Sequence, residues 1–109
     1  MSSPVTRLTL FKIPKDEDQH HLLDLCKEIP QKAVKNGKPY ITSVQADKAK
    51  PDQRAQGFTI VAISTFKSEE EFDYYDKEFP AYVELRTFAK SVNGGVAMVY
   101  FENEVVLLG

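Results

Sequence analysis

This chain of 109 residues has no tryptophan, a single cysteine, two histidines and no surplus of positive charge. A lone Cys26 cannot close an internal disulfide, so stability has to come from a buried core, and the usage fits a reducing compartment. The formal net charge is -2, and no Lys/Arg cluster is interleaved with aromatics, which excludes nucleic acid or an anionic membrane surface as the main partner. No apolar run reaches the ~20 residues needed to cross a bilayer. The opening residues 1–18 show no basic segment followed by an apolar run and no cleavage site, so a secretory signal is not expected and a cytoplasmic location is. His20 and His21 are adjacent, about 100° apart on a helix, and cannot share a metal. With no third ligand at zinc-like spacing, neither a metal nor a cofactor is expected. No Ser-His-Asp arrangement is readable, and Gly94-Gly95 reads as a turn rather than a phosphate loop.

What is present is ordinary for a folded domain: 42% hydrophobic and 28% charged residues, enough for one core spanning residues 1–109. Val5 to Ile13 alternates as a strand, Leu8 and Leu10 facing one way and Val5, Arg7, Thr9 and Phe11 the other. Asp16, with Gln19 three residues on, suggests a capped helix start. Leu22, Leu25, Cys26 and Ile29 make one apolar stripe, which Pro30 should kink or interrupt before a weaker part at Ala33 and Val34. Asn36-Gly37 is a stop, Tyr40 to Ala46 a short strand, and Asp47 to Gln56 an exposed loop. Gly57 opens a strand through Phe66. Ser68 and Glu71 form a capping box, with Phe72, Tyr75 and Phe79 on the inner stripe of the helix it starts. Pro80 ends that helix and suits the first turn of another, whose inner positions would be Val83, Leu85, Phe88 and Val92. Val96 to Phe101 is the last strand. The tail from Val105 to Leu108 is too apolar for a free end.

The order β-α-β-β-α-β predicts an α+β, ferredoxin-like fold with an antiparallel four-stranded sheet and both helices on one side. The other face would then be bare. Yet Val61 and Ile63 oppose Ile60, Ala62 and Phe66, and Ala97, Val99 and Phe101 oppose Val96, Met98 and Tyr100. Monomers rarely leave an apolar patch of that kind exposed, at roughly 25 cal/mol per Å². Sheet against sheet in a two-fold homodimer is the simplest closure, giving a dimeric α/β barrel.

The runs VTRLTLFKIP, QGFTIVAISTFKSEEEFDYY, FPAY and VAMVYFE resemble the stress-responsive dimeric A/B-barrel domain family. The match covers nearly the whole chain, is most specific from Gly57 to Leu85 and is weakest from Gln31 to Gln56. The resemblance implies a homodimer whose two sheets form a barrel with helices outside. The family includes plant stress proteins and polyketide cyclases. In the cyclases, a Tyr and a His near a His-Pro-Ala-His stretch act as an acid–base pair in a pocket between helices and sheet. Tyr75 matches that Tyr. The stretch is here Phe79-Pro80-Ala81-Tyr82, with one extra residue between Tyr75 and Pro80. Tyr82 therefore stands where the catalytic His would be, and Arg7 and Ile60 occupy the other pocket-His positions.

The candidate catalytic cluster is accordingly Tyr75, Tyr82 and Arg7, with Thr9, Phe11, Ile60, Phe72, Phe79, Leu85 and Phe88 as the ligand-binding lining. A phenol titrates near pH ~10 and is a weak base at neutrality. A guanidinium beside Tyr82 would stabilise a phenolate or the enolate oxygen of a bound β-dicarbonyl. The plainer reading is that Tyr75 and Tyr82 are core aromatics and that Arg7 pairs with a helix carboxylate such as Glu84. Cys26, in an apolar stripe, reads as an inert core thiol. Three functions fit these residues. One is a protein binding a small apolar or polyketide-like ligand without a strong catalytic group. Another is a cyclase or lyase using Tyr75, Tyr82 and Arg7. The third is a cofactorless monooxygenase, against which the lack of Trp and pocket His counts.

Overall fold

The structure is a computed structural model that describes residues 4–35, 38–39 and 41–102, with only the backbone of residues 34, 35, 38, 39, 78 and 81. The elements are β1 (Val5–Phe11), α1 (Asp16–Lys32), β2 (Val34–Lys35), β3 (Lys38–Pro39), β4 (Ile41–Lys48), β5 (Ile60–Phe66), α2 (Glu69–Glu78), α3 (Pro80–Val92) and β6 (Val96–Glu102). Four strands form one antiparallel sheet in the order β4-β5-β1-β6, and β2 and β3 pair as a small separate hairpin. This is the expected ferredoxin-like α+β arrangement. β1 and β4 run parallel with β5 between them, so α1 is the crossover that joins them.

Strand register decides which side chains meet the helices. Arg7 lies opposite Ser64 on β5 and Tyr100 on β6, and Thr9 lies opposite Ala62 and Met98. Ser64 and Ala62 in turn lie opposite Val44 and Ala46 on the edge strand β4. Side chains alternate across the sheet. Val5, Arg7, Thr9, Phe11, Ile60 and Phe66 therefore share the helix side, where they are buried with Leu22, Ile29, Phe72, Tyr75 and Leu85. The opposite face carries Leu8, Leu10, Val61, Ile63, Val99 and Phe101. Val99 is 57% exposed and Phe101 46%. No helix covers it.

Local chemistry explains the helix boundaries. The Ser68 hydroxyl accepts from the Glu71 amide at 3.3 Å, and Glu69, Glu70 and Glu71 face the positive end of the α2 dipole. Phe79 adopts an extended conformation between α2 and α3, and Pro80 opens α3 at the position where a missing N–H costs nothing.

Several sequence expectations are corrected. Asp16 does not cap α1. It is the first helical residue, its carboxylate taken by Lys48 Nζ at 2.6 Å, and Gln19 Nε2 donates instead to the Ile13 carbonyl. That contact with Lys48, and secondarily the charge and hydrogen bond of His20, holds the Asp16 carboxyl below its ordinary range. Pro30 does not split α1, which runs on to Lys32; the proline removes one helical bond, the one its N–H would give the Cys26 carbonyl, and the helix ends two residues later. The strand expected at 40–46 is β4, which runs on to Lys48 and shortens the loop. That loop also holds a 3-10 turn, Gln53–Ala55, capped by Asp52. In α3 Leu85 is buried and Phe88 and Val92 pack half-buried against the core as expected, with Tyr82 and Ala89 buried beside them, whereas Val83 is 37% exposed. The stop at Asn36-Gly37 and the apolar tail 105–108 lie outside the described residues.

Candidate functional site

Arg7 sits at the middle of the central strand β1 and is only 7% exposed. A buried cation needs partners. Its Nη1 donates to Asp76 Oδ1 of α2 at 3.3 Å, and its Nη2 donates to the Tyr82 hydroxyl of α3. The guanidinium carbon lies 4.6 Å from the Tyr82 ring centroid, and that of Arg86 lies 5.5 Å from the same centroid. Arg86 also donates to the Asp76 carbonyl, so Asp76 links the two cations. Tyr75 packs on Tyr82 with centroids 4.6 Å apart. Arg7, Tyr75 and Tyr82 thus come together, although the two tyrosines lie on different helices.

These three side chains border a cavity of about 30 Å³ between helices and sheet, together with Thr9, Phe11, Leu85, Ser64, Cys26 and Val44. That volume holds about one water molecule. Arg7 Nε is buried without a hydrogen-bond partner. An orphaned donor of a charged group is costly, so an oxygen acceptor at that point would be strongly favoured. None of the described cavity-lining residues is His, Asp or Glu. The site offers hydrogen-bond donors and positive charge, and no strong base.

The remaining expected lining residues lie elsewhere in the core. Ile60 is fully buried on the helix face of β5, and Phe72 packs on Phe66, stacks on Tyr100 and has its ring centroid 5.7 Å from the Arg7 guanidinium carbon. Phe79 packs against Tyr75, and Phe88 meets His21 edge-on at the surface of α3. The carboxylate on Arg7 is Asp76, not Glu84, which is exposed. Asp76 and Ser64 are the polar groups that sequence reasoning missed. Ser64 could have been found from the alternation of its strand, since it shares a face with Ile60 and Ala62.

Cys26 is a buried thiol, and desolvation pushes it from 9.0 up to about 11. A group with a raised folded value contributes stability that is fully present below its unfolded value and is lost as pH rises through the folded one. The native chain should therefore lose more stability than Cys26→Ala between pH 9 and about 11. Equal slopes in chemical denaturation across that window would show that the thiol is not desolvated.

The fold and the helix-side cavity define a ferredoxin-like α+β protein with a candidate site between its helices and its sheet. A model of the Stress Responsive A/B Barrel Domain family matches residues 5–103, and the chain belongs to that family. It is 36% identical over 99 residues to a Fusaristatin A biosynthesis cluster protein of Gibberella zeae, covering 90% of this chain and 72% of that one. Among solved structures it resembles the hydroxynitrile lyase from Passiflora edulis, with a TM-score of 0.79 and 15% identity over 98% of this chain and 100% of the lyase. A dimeric ferredoxin-like protein of unknown function from Thermobifida fusca superposes with a TM-score of 0.77 at 11% identity, covering 94% and 92% of the two chains. No helix among the described residues is long and apolar enough to cross a membrane.

Proposed function

We propose that this protein binds a small carbonyl compound of polyketide-like character, anchoring its oxygen on Arg7 and Tyr82 without a strong catalytic base. The observation that carries this reading is the buried Arg7 guanidinium, one donor of which, Nε, has no partner beside a cavity lined by apolar groups. The phenol oxygen of Tyr82 accepts from Arg7, which leaves its own proton free to donate onward to a ligand oxygen. The likeness to a biosynthesis cluster protein supports a ligand of biosynthetic origin. We further propose that the chain acts as a single cytoplasmic domain that pairs with a second copy through its open apolar sheet face. The dimeric state of its structural neighbours supports the pairing.

A second reading, a cyclase or lyase, rests on the same Arg7–Tyr82 contact. Two donors aimed at one oxygen stabilise an enolate, and Tyr82 would supply the proton. Calorimetric titration with acetylacetone, together with a spectrophotometric assay on a linear triketide, separates the two. Saturable binding without turnover is the expected result. Turnover would move the assignment to the enzyme reading, and absence of binding to either compound would overturn both.

A further inference from the structure

A cavity of about 30 Å³ cannot admit a carbonyl compound as it stands, so the site needs a door. Outside it, between α1 and β4, runs a groove of about 510 Å³. Two residues line both spaces: Cys26 from α1 and Val44 from β4. Two further grooves, both against the 48–59 segment, share no residue with the cavity. We propose that Cys26 and Val44 form the door to the Arg7–Tyr82 cavity and that ligand enters between α1 and β4.

Three separate features loosen the fold at this wall. Pro30 has no N–H, so the Cys26 carbonyl, four residues earlier, lacks its regular helical donor. β4 is an edge strand held by β5 alone, free to shift without breaking a second ladder. Its register also slips between Ile41 and Ser43, next to Val44. Each side of the door is one short side chain, so a small displacement joins the groove to the cavity. The rim of the groove is polar, with His20, Lys27 and Asp47, while Cys26 and Val44 make the inner end apolar.

The door rests on the binding reading above, and its test is chosen to fail separately. With acetylacetone as the probe, association and dissociation rates from NMR line shapes should both rise roughly tenfold for Val44→Ala and both fall for Val44→Phe, and because Val44 also borders the cavity the change in Kd is expected to be smaller than the change in either rate. Pro30→Ala, which restores the N–H toward Cys26, should slow both rates. A change confined to one of the two rates, and so carried wholly into Kd, would overturn the proposal, as would no change in either rate. If the native chain does not bind acetylacetone, the door is read from solvent exchange of the Arg7 Nε proton. Exchange should quicken in Val44→Ala and slow in Val44→Phe and Pro30→Ala, and identical exchange in all four proteins would overturn it.

Discussion

Replacing Arg7 by Met is expected to weaken acetylacetone binding by about 10- to 150-fold, the worth of a hydrogen bond to a charged group of about 1.5–3 kcal/mol. Stability should move far less. The substitution takes a charge out of a site that is 7% exposed, and it leaves behind Asp76, whose side chain is 36% exposed and can return to water. Replacing a buried ion with an apolar side chain of similar length is often neutral or stabilising. The converse substitution, Asp76→Asn, strands the buried guanidinium and should cost more stability than Arg7→Met. Arg7→Lys should not rescue binding, because one ammonium cannot span Asp76, Tyr82 and a ligand as a planar fork does. Calorimetry for binding and urea denaturation for stability give the two readouts. Arg7→Met with native affinity would remove Arg7 from the site.

The second large effect concerns assembly. Val99 lies on the open face at 57% exposure, paired in register with Leu8 of the central strand. A glutamate there costs the isolated protomer little, since the position already meets water. In a two-fold contact of ordinary size, about 1,600 Å² in total, the same substitution buries two unpaired carboxylates. Val99→Glu should therefore shift the native chain from a dimer to a species of 12.4 kDa at micromolar concentration, as measured by light scattering. A native chain already of that mass would refute sheet-on-sheet pairing.

Much of this architecture could be read from the residues because its signals are local. Ser68 with Glu71 marks one helix start and Pro80 the next, and period-two alternation separates Arg7 and Thr9 from Leu8 and Leu10. The small β2–β3 hairpin was missed because two-residue strands carry no period. Val83 was placed inward because the apolar stripe was phased from Val83 itself, whereas the bend at Phe79 turns Tyr82 and Ala89 to the core. Asp76 follows Tyr75 directly and reads as the solvent side of its helix. Only the height at which α2 crosses β1 brings its carboxylate to Arg7. The neighbours Cys26 and Val44 come from elements that meet only once α1 has crossed the sheet. Of the lining residues expected from sequence, Thr9, Phe11 and Leu85 border the cavity, while Ile60, Phe72, Phe79 and Phe88 are not among its lining.

Strand β6 is exposed along its whole length, on the helix side as well as the open one, with Tyr100 half-exposed despite its stack on Phe72. A lone protomer holds it by a single ladder to β1 and little side-chain burial. Under the proposed sheet-to-sheet pairing its integrity depends on mass action. For an assembly of two copies, folding free energy contains the protomer concentration, and dilution alone lowers the melting temperature. In the proposed pair, the thermal midpoint is a property of how much of the chain is made as well as of its sequence.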